Sequence, residues 1–168
     1  IVLLVNSIGN KFQPGGCSTC GVLNIKSPSR NVIPGECFLT IDFRHPSDQR
    51  LKEMDKNLRL EIKKIANNYN LKISIKQILE LKSKSFNKKV RKTIEKVSSN
   101  LELPHQEIIS GAGHDAVNIN DIAPTGMIFI PCVDGISHNE TEKALKKDIS
   151  AGAQVLLHSM IELADNTK

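Results

Sequence analysis

The clearest pattern along the chain is an apolar stripe between residues 48 and 70. Hydrophobic side chains recur there at steps of three and four, which places them on one face of a helix. They are Leu51, Met54, Leu58, Ile62, Ile65 and Tyr69. This spacing predicts one amphipathic helix, and Ser47 or Asp48 can cap its N-terminus.

Strand-like stretches flank this helix. Residues 36–44 and 71–76 alternate between apolar and polar side chains, as half-buried strands do, and residues 21–27 are also predicted to form a strand. The apolar run at 1–10 is too short to show its period, so it fits a buried strand or the end of a helix. Residues 1–80 are therefore predicted to form a small sheet with one face covered by helix.

A polar stretch at 82–87 precedes a second set of elements. Asn87 can cap a helix whose apolar positions include Val90, Ile94 and Val97. Short strands are predicted at 106–109 and 127–130. A last helix is predicted at about 147–164, with one apolar side formed by Ile149, Ala153, Leu156, Met160 and Ala164. Alternating helices and strands are typical of an α/β layer architecture.

Composition narrows the function classes. The formal net charge of +5 comes mostly from lysines between Lys52 and Lys96, with one Tyr and no Trp in the whole chain. Lysines spread over amphipathic helices favour a solvated face over a nucleic-acid patch, since aromatic stacking platforms are missing. No apolar run approaches the roughly 18 residues that a membrane span needs. We therefore expect neither a nucleic-acid nor a membrane partner.

Four cysteines are present, and Cys17 and Cys20 form a C-x-x-C pair. No second pair follows at zinc-finger spacing, and the residues after Cys20 look like a strand, whereas a redox pair would open a helix. A special role for the pair is left open, with small buried hydrophobes as the favoured interpretation. Cysteine usage of this kind suits a reducing cytoplasm.

Two histidines stand in small-residue loops that directly follow predicted strands. His114 lies in S-G-A-G-H-D-A (110–116), and His138 lies in P-C-V-D-G-I-S-H-N-E (131–140). Functional groups collect at the carboxyl ends of strands in an open α/β sheet, so a shared site is favoured over surface decoration. His45, His105 and His158 have no such context.

The chemistry of these loops favours a metal over a nucleophilic serine. Ser110, His114 and Asp115 are close in sequence, but no G-x-S-x-G elbow is present, and a triad rarely comes from one short loop. Neutral imidazole is the commonest protein metal ligand. A metal site needs about three or four protein ligands, so the two histidines alone leave it incomplete.

Three motifs together resemble a known family. The S-G-A-G-H-D-A loop, M-I-F-I-P-C-V-D-G-I-S-H-N-E-T-E (127–142), and N-V-I-P-G-E (31–36) followed by T-I-D-F-R-H-P (40–46) are similar to sequences of the N-carbamoyl-L-amino-acid hydrolase, β-ureidopropionase and allantoate amidohydrolase family. That family is a branch of the M20 metallopeptidase-like enzymes. The resemblance runs nearly end to end and in the right order.

The resemblance implies an α/β catalytic domain and an inserted α+β lid that makes a homodimer contact. Residues 1–82 resemble part of the lid, with 1–10 as a helix end, and residues 83–168 resemble the C-terminal portion of the catalytic domain. We therefore expect the chain to be the C-terminal part of a longer cytoplasmic protein and to be inactive alone, because the other metal ligands and the glutamate base would precede position 1.

Site residues follow from the resemblance position by position. His138 matches a metal ligand in a site for two divalent ions, either Zn²⁺ or Mn²⁺, with Co²⁺ and Ni²⁺ also possible. His114 matches a histidine that contacts substrate and stabilises the tetrahedral transition state, and Gly113 matches a pocket turn. Asn31 and Arg44 match lid residues that bind the substrate carboxylate, a role that suits the planar guanidinium fork.

The resemblance implies hydrolysis of a carbamoyl or ureido C–N bond, by a metal-activated water, in a small carboxylate substrate. Two alternatives stay open. One is a related M20 aminoacylase or dipeptidase, and the other is a non-catalytic dimerisation module. The choice among N-carbamoyl α-amino acids, ureidopropionate and allantoate also stays open.

Overall fold

A computed structural model describes residues 1–165. The chain divides into two compact units, Ile1–Ser83 and Lys84–Lys168. The regular elements in chain order are α1 (Val2–Lys11), β1 (Cys17–Ile25), β2 (Cys37–Arg44), α2 (Asp48–Tyr69), α3 (Lys88–Asn100), α4 (Asp115–Ile119), a 3₁₀ turn (Val133–Gly135) and α5 (Lys146–Asp165). The mixture of helix and strand confirms the coarse fold class. The assignment of the units to a lid and a catalytic domain stays a prediction.

In the first unit, β1 and β2 form a two-stranded antiparallel sheet. Cys17 pairs with Arg44 and Ile25 with Cys37, and the register shifts between Cys20 and Leu23. The predicted second strand is confirmed, whereas the first begins earlier than expected. Cys17 and Cys20 lie inside β1, where residues three apart point to opposite faces. This placement argues against a chelating or redox C-x-x-C.

Helices α1 and α2 pack against this sheet and form its core. The buried apolar side chains are Val5, Ile8, Phe12, Met54, Leu58 and Ile62. Gly9 allows α1 to lie close to β1, because a Cβ at this position would be 2.2 Å from Ser18 Oγ. Helix α1 spans Val2–Lys11, which confirms the helix expected here from the resemblance.

The predicted amphipathic helix is confirmed as α2. Ser47 Oγ accepts the Arg50 N–H at 3.5 Å, as expected of an N-cap, and Asn70 ends the helix in the left-handed conformation with φ 51°. Met54, Leu58 and Ile62 are buried. Tyr69 belongs to the predicted apolar stripe, and it is 73% exposed. It lies on the last turn, past the helix–sheet contact.

Three predicted strands do not form in the part of the chain that the structure describes. Residues 71–76, 106–109 and 127–130 have no ladder partner there and belong to no regular element. A strand needs a neighbouring strand to satisfy its N–H and C=O groups. Each segment has a strand-like pattern of side chains, but no neighbouring strand pairs with it in the described structure. The prediction was therefore wrong for these residues.

In the second unit, α3 and α5 pack together. Val97 on α3 and Val155 and Ser159 on α5 are buried. Asn87 Oδ1 accepts the Val90 N–H at 3.1 Å, which confirms the predicted cap. Segment 127–130 lies against α5, since a Cβ on Gly152 would come within 2.5 Å of Ile130 Cγ2.

The predicted last helix is confirmed as α5, and its predicted apolar side is exposed in the described structure. Ile149, Leu156 and Met160 are half or more exposed, while Val155 and Ser159 are the buried positions of α5. The helix has apolar residues on two sides, and α3 covers only one of them. Among the described helices, none has the length and apolar character required to cross a membrane.

Candidate functional site

His114 is the residue directly before α4, and its ring is held by two neighbours. Ser110 Oγ lies 2.6 Å from His114 Nε2 and also accepts the Ala112 N–H at 3.2 Å. The Phe129 ring meets the imidazole edge to face, with centroids 5.5 Å apart. The loop at 110–116 and segment 127–130 therefore lie close together, although this segment forms no strand. The ring is half-buried and pre-oriented.

Gly113, the predicted pocket glycine, stands in open space. Apart from Gly113 itself and its two chain neighbours, no described residue has an atom within 4 Å of a Cβ built at this position. A close approach by backbone was the reason for expecting small residues here. Within residues 1–165 nothing makes that approach, so the role of Gly113 stays a prediction.

His138 lies in an exposed loop with unusual backbone geometry. Its φ is 56°, in the left-handed region that side chains other than Gly rarely adopt, and Asp134 has the same φ. Glu142 Oε2 accepts the His138 N–H at 2.9 Å, and Lys143 O accepts the Val133 N–H at 2.7 Å. These bonds close the loop on itself, and His138 is exposed.

Arg44 ends β2 and is paired along its own strand. Its Nε and Nη2 donate to Asp42 Oδ1 and Oδ2 at 2.9 Å and 3.1 Å. Residues two apart share a face of a strand, which explains the fit. The hydrogen bond and charge of Asp42 raise the pKa of Arg44 above its ordinary value. The guanidinium therefore stays charged and is paired with Asp42.

Asn31 lies in the loop between the strands, and its Oδ1 accepts the Ser29 hydroxyl at 3.0 Å. The loop is closed at its base by Lys26, whose N–H donates to Glu36 O at 3.1 Å and whose Nζ lies 2.9 Å from Glu36 Oε2. With its oxygen engaged locally, the amide NH₂ of Asn31 is the end suited to donate to a carboxylate.

The donor set does not fit a metal ion on its own. Among residues 1–165, no group of three or more His, Cys, Asp or Glu side chains is placed to hold one. Four-coordinate catalytic sites use about three protein ligands. The predicted ligand His138 contributes one imidazole, and its role as a metal ligand stays a prediction.

Three partners of the predicted residues were missed from the sequence. They are Ser110 for His114, Asp42 for Arg44 and Glu142 for His138. Each signal was present as a spacing: four residues within a loop, two along a strand, and four across a tight loop. Loop spacings seldom predict a contact, because loops lack a fixed period. The strand spacing was the one that was predictable.

The chain is similar to known proteins over most of its length. The family model described as Peptidase family M20/M25/M40 matches residues 7–162. An N-carbamoyl-L-amino-acid amidohydrolase of Rhizobium meliloti is 34% identical over 98% of this chain and 40% of its own length. An allantoate amidohydrolase of Escherichia coli is 31% identical over 87% of this chain and 36% of its own length.

A solved structure has a similar fold. The crystal structure of an amidase of the hydantoinase/carbamoylase family from Burkholderia multivorans matches with a TM-score of 0.91 and 46% identity, covering 96% of this chain and 39% of that one. The chain thus spans about 40% of the length of the curated relative from Rhizobium meliloti.

Proposed function

This chain belongs to peptidase family M20/M25/M40, and we propose that it supplies the carboxylate-binding and oxyanion-binding side chains of a longer amidohydrolase that cleaves the C–N bond of N-carbamoyl or ureido acids. The observation that carries the proposal is the match of residues 7–162 together with relatives named for N-carbamoyl-L-amino acids and allantoate. Both named substrates are small carboxylates.

Arg44 is proposed to bind the substrate carboxylate, with Asn31 assisting. A guanidinium fork binds a carboxylate with two parallel hydrogen bonds, which a lysine does not reproduce. The pairing of Arg44 with Asp42 supports this role, because it holds the side chain in one direction before substrate arrives. Less conformational entropy is then lost on binding.

His114 is proposed to donate a hydrogen bond to the oxygen that becomes negative during hydrolysis. A pre-oriented donor at a developing oxyanion stabilises the transition state more than the ground state. The contacts of the ring with Ser110 and Phe129 support this role, since they fix its position. Gly113 beside it would leave space for substrate.

His138 is proposed to contribute one ligand to a divalent metal site. The described residues do not complete such a site, so the remaining ligands would have to come from outside residues 1–165. Two Zn²⁺ or Mn²⁺ ions are the proposed occupants. The exposure of His138 supports a ligand role, because the ring is accessible to a metal ion.

Homodimerisation through residues 1–82 and a cytoplasmic location are also proposals. The four cysteines are free, which supports a reducing compartment. The alternatives are an M20 aminoacylase or dipeptidase, which would share the metal ligand but prefer acylated amino acids or dipeptides, and a non-catalytic module.

Replacing each of the two loop histidines by alanine, in an active protein that contains this chain, tests the proposal. His138→Ala is expected to lose bound metal on desalting. His114→Ala is expected to keep its metal and to lower kcat by about 10²–10³-fold, the cost of one oxyanion donor. Metal analysis and steady-state kinetics on N-carbamoyl substrates measure both.

His105→Ala is the matched control, because that ring contacts only local groups in the described structure, Leu103 O at 2.8 Å and Ser99 Oγ at 3.4 Å. It should keep both metal and activity. If His114→Ala lost the metal and His138→Ala kept it, the two roles would be reversed. Full activity in both variants would favour a non-catalytic module.

A further inference from the structure

The hydroxyl of Ser110 lies between two polar groups of its own loop. Its Oγ accepts the Ala112 N–H at 3.2 Å and lies 2.6 Å from His114 Nε2. A serine hydroxyl has one proton to donate and two lone pairs. With the Ala112 amide directed at one lone pair, the proton can be donated to the imidazole nitrogen.

We propose that Ser110 is a positioning residue, which donates its proton to His114 Nε2 and so holds the ring in the tautomer with its proton on Nδ1. A neutral imidazole has one donor and one acceptor nitrogen, and the bond at one nitrogen decides which is which. This inference rests on the proposed role of His114. It assigns Nδ1–H as the group that donates to the oxyanion.

Phe129 supports the same geometry. Its ring meets the imidazole at an interplanar angle of 65° and a centroid distance of 5.5 Å. An edge-to-face neighbour of this kind restricts rotation of the imidazole. A half turn of the ring about Cβ–Cγ would put Cε1 in the place of Nε2 and break the contact with Ser110. Ser110 and Phe129 together therefore fix both the orientation of the ring and its proton.

The chain contains its own standards for both tautomers. His105 Nδ1 lies 2.8 Å from the carbonyl oxygen of Leu103, which can only accept, so its proton is on Nδ1. His45 Nδ1 accepts the Ser47 N–H at 2.9 Å, so the proton of the neutral ring is on Nε2. Each is fixed by a backbone group and needs no assumption about a hydroxyl.

Nitrogen-15 NMR of the 168-residue chain labelled at histidine tests the inference. Long-range proton–nitrogen spectra distinguish protonated from unprotonated ring nitrogens. At about pH 8.5, where most imidazoles are neutral, His114 should show the His105 pattern. In Ser110→Ala it should shift toward the His45 pattern or average between the two. Ser110→Thr, which keeps the hydroxyl, should preserve the original pattern.

Ser137→Ala is the matched control, because Ser137 lies in the other histidine loop and should leave the His114 signals unchanged. The His45 and His105 patterns report whether each variant is folded. If wild-type His114 shows the His45 pattern, or if Ser110→Ala leaves its pattern unaltered, the inference is wrong. Neither result depends on catalysis, so failure of the proposed function would be seen separately in the His114→Ala kinetics.

Kinetics of an active protein that contains this chain add a second criterion. Ser110→Ala should lower kcat by less than His114→Ala, that is, by less than about 10²–10³-fold, with KM little changed and Ser110→Thr restoring most of the rate. A Ser110→Ala variant with no residual turnover would instead make the serine a nucleophile and overturn the positioning role.

Discussion

The two units differ in how many apolar side chains they bury almost completely. In Ile1–Ser83, two helices close over one face of a sheet, and Met54 at the centre is 0% exposed. In the described part of the second unit, α5 keeps Ile149, Leu156 and Met160 half or more exposed. The comparison shows that an amphipathic pattern predicts which side chains share a face, but not whether anything covers that face.

Methionine truncation in each unit is the strongest way to break this comparison. Met54→Ala should lower the free energy of unfolding by about 2–5 kcal/mol, because it leaves a cavity in a closed core. Met160→Ala, at a side chain that is 60% exposed, should change it by less than about 0.5 kcal/mol. Urea unfolding followed by circular dichroism measures both.

Tyr69 gives a local signal for the first unit, since it is the single tyrosine and lies at the end of α2. Its fluorescence should follow the Met54→Ala transition. Equal losses in the two variants would mean that Met160 is buried in solution and that the contrast between the units is wrong.

Arg44→Lys tests the carboxylate-binding role proposed for the first unit. In an active protein that contains this chain, the variant should raise KM for carboxylate substrates by roughly 10- to 100-fold, since a hydrogen bond to a charged group contributes about 1.5–3 kcal/mol. Metal content should not change. Arg59→Lys, which changes an arginine paired with Asp55 on α2, is a control expected to keep its KM. A silent Arg44→Lys would remove the carboxylate-binding role.

The smallest expected effect concerns Asp48 and pH. Hydrogen bonds from the Ser83 N–H and hydroxyl, at 2.8 Å and 2.9 Å, lower the pKa of Asp48 below its ordinary value. A lowered folded-state pKa stabilises the protein above the unfolded value of about 4, and that contribution is lost as pH falls through the folded value.

The melting temperature of Asp48→Asn should therefore be slightly lower than that of wild type at pH 7, and the gap should narrow at pH 3. Ser83→Ala, which removes the hydroxyl donor but keeps the amide, should lie between them at neutral pH. A gap that is constant with pH would show that the carboxylate does not titrate as expected.

The sequence predicted the elements whose stabilising partners are close along the chain. Helix α2 carries its own cap at Ser47, and β2 has β1 as a hairpin partner, so pattern and structure agree. Segment 127–130 has the composition of a buried strand, but a ladder needs a second strand, which no local pattern can reveal. The same limit applies to the candidate site. His114 and His138 were identifiable by type and context, whereas Ser110 and Glu142 depend on loop geometry.

The closed base of the β1–β2 loop has a consequence for how substrate preference can change. Lys26 and Glu36 tie the loop shut, and the strand register beyond them fixes the face on which Arg44 lies. A one-residue slip within β2 would turn Arg44 to the opposite face. An insertion or deletion between Lys26 and Glu36 would move Asn31 and leave Arg44 in place. The two side chains proposed to bind the substrate carboxylate can therefore change separately. A change of length in the loop would move Asn31 alone, whereas a change of length in β2 would reorient Arg44.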